Sequence, residues 1–302
     1  VLDYAWIGYG GADGNVVVTG ASVTLRNSFI GYGSSSGLRW LNGASGQITD
    51  NRIEQNLAYG IHLTGASAPA ISGNTLAHNR SYAVYLEGNS LPAFSGNTAY
   101  GNGYNGIGVY GTVGTGTWYA DLPYIATQDL VVESASILTL QPGTVVKLST
   151  NQDFIVRGTL VASGTVTNPI VFTSLKDDTY GGDSQQDGAA TKPNPGDWGT
   201  LYFADTSDDA TSVLDHVIVR YGGAGYNYGS GTSYANLTLD SASPRVLNST
   251  FERSSRYGAQ LANVSSPTFQ GNILADNADH GLWLSPASAP QVLDNVFARN
   301  GG

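Results

Sequence analysis

The sequence lacks several residue types altogether or nearly so. Its 302 residues include no cysteine and no methionine, and only three lysines and four glutamates. Without cysteine, a disulfide scaffold, a thiolate metal site and a cysteine nucleophile are excluded. No apolar run reaches the ~18 residues of a membrane-spanning helix. Because lysine and glutamate are good helix formers, their scarcity also argues against a helical fold.

Charge is sparse and mostly negative. Charged residues make up 12% of the chain, and the formal net charge is −10 at pH 7. Nucleic acids and anionic membranes need a cationic surface, so the sequence predicts no nucleic-acid partner and no membrane insertion. The absence of cysteine and methionine suits an oxidising exterior. We therefore expect an extracellular or cell-surface location.

The residues that are abundant favour strands and turns. Glycine occurs 40 times, and asparagine, serine, threonine and valine are frequent. Valine and threonine are typical of strands, and glycine, asparagine and serine are typical of turns. This composition predicts an all-β chain.

One sequence frame recurs along the chain and predicts its architecture. An apolar residue and two small residues precede an asparagine, and a second asparagine follows five positions later, as in residues 48–63 and 269–284. A period of 23 or 24 residues fits one coil of a parallel β-solenoid, here of about 12 coils of roughly 23 residues. Amide side chains at one corner should hydrogen-bond up such a stack. The first asparagines, predicted to form this ladder, are Asn27, Asn51, Asn74, Asn97, Asn248, Asn272 and Asn295.

A longer sequence repeat contains several copies of the short one. Residues 1–11 match 213–223, and from Asn27 onward the two copies match at one constant offset. We expect one continuous β-helix over 1–302, with asparagine-ladder coils in 1–112, coils of another type in 113–212, and a second copy of the 1–79 unit in 213–302. The chain then has the character of an excerpt from a longer array, and neighbouring repeat modules are its expected partners.

These motifs resemble a known superfamily. The asparagine frame is similar to the repeat of the right-handed, pectate-lyase-like β-helix superfamily. The segment from TLQPGTVVKL to GDWG resembles a header found in large secreted or surface proteins of bacteria. The resemblance implies that the solenoid is a single-stranded right-handed parallel β-helix. It leaves the activity open, because the superfamily includes lyases, hydrolases, epimerases, adhesins and structural rods.

An acidic, glycine-rich segment is the candidate metal site. It lies in a polar insertion near residues 176–199, which is too polar and too rich in glycine and proline to be a strand. Clustered carboxylates on a flexible backbone suit a hard cation such as Ca²⁺, although the spacing is not that of an EF-hand. The alternative is a solvated acidic loop. The predicted calcium ligands are Asp177, Asp178, Asp183 and Asp187.

A tyrosine-rich loop is the candidate carbohydrate site. It spans residues 224–236 and follows a tyrosine at the end of the preceding motif. Exposed aromatic rings stack on sugar rings, but tyrosines in a β-helix also stack on one another as structural ladders. The candidate carbohydrate-binding residues are Tyr221, Tyr226, Tyr228 and Tyr234.

No catalytic residue is assigned from the sequence. The four histidines, at positions 62, 78, 216 and 280, have no metal-ligand spacing and are interpreted as outward-facing coil residues. The preferred function is a non-catalytic structural or adhesive module of a large extracellular protein, stabilised by calcium. The alternatives are a carbohydrate-binding module and, with less support, a polysaccharide lyase or glycoside hydrolase.

Overall fold

Parallel strands stacked coil upon coil form the whole fold. The computed structural model describes residues 1–229 and 231–302. Neighbouring coils pair in parallel in five sheets, which we number 1 to 5 in chain order. Within the described residues there are no helices, so none is long and apolar enough to cross a membrane. The prediction of an all-β parallel β-solenoid of about 12 coils is confirmed.

Sheet 3 runs through the full height of the stack and sets the axis of the molecule. Twelve coils each contribute one strand to it. The strands of sheet 3 are Val16–Thr19, Leu38–Leu41, Ile61–Leu63, Tyr82–Glu87, Tyr104–Tyr110, Tyr124–Ala126, Val145–Leu148, Ile170–Ser174, Val217–Arg220, Thr250–Glu252, Ile273–Ala275 and Val296–Ala298.

The other four sheets cover either the first five coils or the remaining ones. Sheet 1 contains Leu2–Asp3, Ser22–Arg26, Ser45–Thr49, Ala70–Ser72 and Ala93–Ser95, and sheet 2 contains Trp6–Gly8, Phe29–Gly31, Arg52–Glu54, Thr75–Ala77 and Thr98–Tyr100. Sheet 4 contains Thr112–Val113, Leu130–Val132, Phe154–Val156, Leu201–Phe203, Ala235–Asp240, Tyr257–Ala262 and Leu282–Leu284. Sheet 5 contains Gly116–Trp118, Ile137–Leu140, Thr159–Ser163, Val213–Asp215, Arg245–Leu247, Thr268–Gln270 and Gln291–Leu293. A short antiparallel hairpin pairs Tyr226–Tyr228 with Gly231–Ser233.

The core consists of apolar columns that run along the axis. In sheet 3, Leu38, Ile61, Val84 and Ile107 pair in successive coils, and all four side chains are fully buried. Side chains alternate between the two faces of a strand, so one face of each short strand fills the interior. Each coil therefore covers the apolar face of the coil before it, and no coil has a separate core.

The two sequence copies occupy different sheets. Ile61 pairs with Val84 one full coil later, whereas Ile107 pairs with Tyr124 after a markedly shorter coil. This short coil has no strand in sheet 1 or sheet 2, and it contains the first strands of sheets 4 and 5, Thr112–Val113 and Gly116–Trp118. As a result, Thr75–Ala77 lies in sheet 2, but its equivalent Val296–Ala298 lies in sheet 3. Residues that are equivalent in the two sequence copies therefore lie in different sheets, one strand further along the coil in the second copy.

Asparagine side chains connect successive coils in the interior. The amide nitrogen Nδ2 of Asn51 donates to Oδ1 of Asn74 (3.0 Å), and Asn74 donates in the same way to Asn97 (3.0 Å). Each Oδ1 also accepts the backbone N–H of the asparagine one coil below, at 3.0 Å in both cases. Asn272 and Asn295 form the same pair of contacts in the second copy. These side chains satisfy the backbone groups that a corner leaves unpaired.

The structure corrects two members of the predicted ladder. Ser28 and Ser249, not Asn27 and Asn248, occupy the ladder position, because their backbone N–H groups donate to the asparagines one coil above. Asn27 and Asn248 lie one residue earlier, exposed and at positive φ (51° and 47°). Their amides donate outside the core to Asp3 and Asp215. These ladder contacts join residues 23 positions apart. Asn27 and Asn248 lie 24 positions before Asn51 and Asn272 because each lies one residue before the ladder position.

Candidate functional site

The polar insertion folds against the outer face of sheet 3. No strand lies between Ser174 and Leu201, as expected for residues 176–199. The backbone carbonyl of Ser184 accepts the N–H of Asn105 (2.8 Å), and the ammonium of Lys147 donates to the carbonyl of Gly182 (2.5 Å). Two coils of sheet 3 therefore hold the insertion at its middle.

Three carboxylates of the insertion converge. Asp178, Asp183 and Asp187 each place one oxygen within 4.8 Å of the others. Asp183 accepts the N–H of Asp187 (3.3 Å) and of Gly188 (2.9 Å), which forms a tight turn between the acidic residues. Burial and the neighbouring carboxylates raise the pKa of Asp178. The cluster thus concentrates negative charge at a partly exposed position.

A buried lysine lies next to this cluster. The side chain of Lys147 is fully buried in sheet 3. Burial lowers its pKa to about 8, and Asp178, Asp177 and Asp183 partly oppose that shift. Its ammonium offsets part of the negative charge of the insertion. Sequence reasoning missed this role, because Lys147 occupies an ordinary strand position well before the acidic segment.

Asp177 does not join the other three aspartates. It is 1% exposed, accepts the hydroxyl of Thr173 (2.6 Å) and lies 3.6 Å from Nε of Arg220. Arg220 is also buried and lies 3.3 Å from Glu252. Asp177 therefore belongs to a buried ion-pair network on sheet 3. Of the four predicted calcium ligands, the structure brings three together.

Tyr221 is part of the same network and is only 7% exposed. Its hydroxyl accepts hydrogen bonds from Arg220 and Arg253, each at 2.7 Å. The guanidinium of Arg220 also lies 4.6 Å from the centre of the Tyr221 ring. Tyr221 has little surface left for a sugar.

We expect Tyr221→Phe to lower the free energy of unfolding by about 1–3 kcal/mol, because the buried guanidinium of Arg220 loses a hydrogen-bond acceptor. Urea denaturation measures the change. Tyr234→Phe is the matched control, since that side chain is 39% exposed. Equal stability of the two variants would contradict a structural role for the Tyr221 hydroxyl.

The remaining loop tyrosines differ in their surroundings. Tyr226 and Tyr228 are half-buried and lie 4.7 and 6.1 Å from the ring of Tyr202 on sheet 4. Gln260 donates to the hydroxyl of Tyr228 (2.9 Å). Tyr234 is exposed, with Arg256 6.0 Å from its ring. The hairpin thus packs on the rod, and the four tyrosines do not form a common exposed platform.

Aromatic rings also stack along the outer side of sheet 3. Tyr59 stacks on Tyr85 at 4.4 Å and Tyr85 on Tyr110 at 5.1 Å, with nearly parallel planes. The ring of His62 packs at a tilt against both Tyr59 (5.1 Å) and Tyr85 (5.7 Å), and burial lowers its pKa to about 4. In this column, ring faces pack against other rings. Sequence reasoning missed it, although its tyrosines recur near the coil period.

A buried carboxyl marks the corner before sheet 4. Asp153 is 5% exposed and accepts the N–H of Thr200 (2.8 Å), and its own N–H donates to Asp129 (3.0 Å). Burial raises the pKa of Asp153 to about 7, and Asp129 adds to the shift. The pair bridges coils in the way the asparagines do elsewhere.

Comparisons with known proteins agree with the fold and add no activity. No curated protein and no solved structure matches the chain. The family described as "Right handed beta helix region" matches residues 7–158 and 209–302, on either side of the segment that contains the insertion. Since these matches cover most of the sequence, the chain belongs to the right-handed β-helix family.

Proposed function

We propose that the chain is a non-catalytic structural or adhesive module of a large extracellular or cell-surface protein. The observation that supports this most is the use of its polar side chains. Interior asparagines, Asp153 and the Asp177–Arg220 network are all engaged in contacts that hold coil to coil. A stiff rod that presents or spaces other parts of a protein requires this kind of rigidity.

An active site has less support. The base candidate nearest the acidic cluster is Lys147, which is fully buried and donates to Gly182. A general base must reach the proton that it removes, directly or through one water molecule. The observed cover over Lys147 therefore favours a structural role for the cluster.

Cleavage assays test the non-catalytic role directly. The intact protein is incubated with a panel of neutral and acidic polysaccharides, with calcium or with a chelator. We expect no new reducing ends and no unsaturated products. Turnover that disappears in Asp183→Asn would overturn the proposal and assign a lyase or hydrolase activity to the insertion.

We further propose that Asp178, Asp183 and Asp187 hold a calcium ion that stabilises the insertion. Carboxylate oxygens are the ligands that Ca²⁺ prefers, and the three lie close enough to share one ion. Backbone carbonyls and water supply further oxygens in such sites. The role of the ion here is structural, because it relieves repulsion among carboxylates in a segment that has little apolar core.

Calcium should raise the stability of the wild-type chain. With free calcium at about 100 times its Kd, linkage predicts about 2.7 kcal/mol of stabilisation. We expect Asp183→Asn to lose most of this effect, measured as the calcium-dependent change in the urea midpoint.

The control is Asp205→Asn, an exposed aspartate outside the cluster, which should respond to calcium like the wild type. Magnesium at equal concentration controls for ionic strength. A calcium response that is unchanged in Asp183→Asn, or absent in the wild type, would leave the insertion as a solvated acidic loop.

Neighbouring repeat modules are the proposed partners. Apolar side chains are exposed in both end coils: Leu2 and Trp6 at one end, Leu293, Val296 and Phe297 at the other. A neighbouring coil would cover them and pair with the free strand edges. A tandem protein carrying this module twice should therefore be more stable, per module, than the single chain.

A further inference from the structure

A cavity of about 220 Å³ lies where the insertion meets the outer edge of sheet 3. None of the clustered aspartates and none of the loop tyrosines lines it, although the lining residue Gln185 also donates to Asp187 of the cluster (3.5 Å). Its walls come from three coils of the rod, at Tyr104, at residues 148–150 and at residues 174–175, and from both halves of the insertion. The residues that argue for a ligand are Tyr104, Ser149, Thr150, Lys176, Gln185 and Asp197.

The aromatic wall is the end of a stacked pair. Tyr104 stacks on Tyr82, with ring centres 4.5 Å apart and planes 12° from parallel. Tyr82 lies one coil nearer the N-terminus, whereas the rest of the cavity lining lies in later coils and in the insertion. Because Tyr82 covers one face of the Tyr104 ring, only the opposite face is available to a ligand in the cavity. Such a face binds the C–H surface of a sugar ring.

The polar walls are held in place before any ligand arrives. Asp197 accepts the ammonium of Lys176 (2.8 Å), the hydroxyl of Ser174 (2.7 Å) and the N–H of Asn194 (2.9 Å). An ammonium has three protons, so Lys176 keeps two for a ligand. Gln185 is positioned by a hydrogen bond from its amide to the hydroxyl of Thr191 (3.0 Å). Within residues 1–229 and 231–302, no donor reaches the side-chain carbonyl of Gln185.

We propose that this cavity binds one neutral hexose or N-acetylhexosamine unit of a glycan. One aromatic face surrounded by an ammonium, an amide and hydroxyl groups matches a ring that has one apolar face and hydroxyls around its rim. The volume is below the ~300–1,000 Å³ of sites for larger ligands, which limits the cavity to about one sugar ring.

Charge selects a neutral sugar over an acidic one. Lys176 is paired with Asp197, so the lining has no uncompensated positive charge. The same insertion contains the three clustered aspartates, and the chain has a net charge of −10. A uronate or sulfated sugar would be repelled by this field. The proposed sugar site depends neither on a mechanical role of the rod nor on calcium binding by the acidic cluster.

Saturation-transfer NMR on the intact chain tests the proposal. The probes are glucose, galactose, mannose, N-acetylglucosamine and N-acetylgalactosamine, each at about 10 mM, with galacturonate as the acidic comparison. We expect at least one neutral sugar to bind with Kd in about the millimolar range. Tyr104→Ala should weaken that binding about tenfold, since the stacking face is lost. Lys176→Met should weaken it about fivefold, because two hydrogen-bond donors are lost.

The matched control is Tyr110→Ala, which removes a stacked tyrosine of the same sheet outside the cavity. It should bind the sugar like the wild type, and thermal melts establish that all variants are folded. Any of three results would overturn the proposal: no neutral sugar binds, galacturonate binds most tightly, or Tyr104→Ala and Tyr110→Ala weaken binding equally. The binding assay is run at one fixed calcium concentration, so a missing calcium site and a missing sugar site give different results.

Discussion

Replacing Asn74 by alanine is expected to lower the free energy of unfolding by about 3–5 kcal/mol. The fully buried amide accepts the N–H of Asn51 and donates to the carbonyl of Ile48 (2.7 Å) and to Asn97 (3.0 Å). Alanine would leave the buried N–H of Asn51 without an acceptor and would remove the donor to Ile48 and Asn97. Urea denaturation followed by far-UV circular dichroism measures the loss.

The matched control is Asn27→Gly, which removes an asparagine of the same sequence frame that lies outside the ladder. Glycine tolerates the positive φ of 51° at this position, so the change tests the amide alone. Since Asn27 is exposed and donates to Asp3 only at the surface, we expect a change within about 0.5 kcal/mol. If both variants lose the same stability, the ladder is not what holds the coils together.

Asp153→Asn is expected to stabilise the protein above neutral pH and to leave it unchanged in acid. Because burial raises the folded-state pKa from 3.8 to about 7, folding favours the protonated carboxyl. Its contribution to stability is fully present below about pH 4 and is lost as the pH rises through 7. A shift of about three pKa units corresponds to at most about 4 kcal/mol. Asparagine keeps an acceptor for the N–H of Thr200 and has no charge to bury.

Urea midpoints of both proteins between pH 4 and pH 9 measure this effect. The difference between variant and wild type should grow with pH and level off above about pH 8. Asp294→Asn, at an exposed position, serves as the control and should show no such trend. A stability difference that is independent of pH would mean that Asp153 is ionised in the folded state without penalty.

The architecture was predictable from the sequence because stacked coils need the same residue types at equivalent positions. Asn51 bonds to Asn74 and Asn74 to Asn97, in each case one coil later, so the spacing of these asparagines equals the coil length. The same logic failed by one residue at Asn27, since serine can also fill the ladder position. The short coil between Ile107 and Tyr124 could not be predicted, because it depends on which sheet each strand joins.

The site was predictable only in part. The acidic segment identified Asp178, Asp183 and Asp187, which local turns bring together. The sequence could not show that the buried Asp177 pairs with Arg220, because that contact joins residues far apart in the chain. Nor could it identify Tyr104 as a cavity wall, since the insertion reaches back across the sheet to a coil formed much earlier in the chain.

The displacement of the repeat by one strand also bears on how an array of such units would meet its surroundings. Thr75–Ala77 and Val296–Ala298 have equivalent places in the sequence but face different sides of the molecule. If every unit contained the same short coil, equivalent surfaces would turn stepwise around the axis from one unit to the next. Equivalent sites of successive units would then point in different directions around the solenoid axis. If each unit bound a sugar as proposed, a filament of such units would present its sugar sites on several sides.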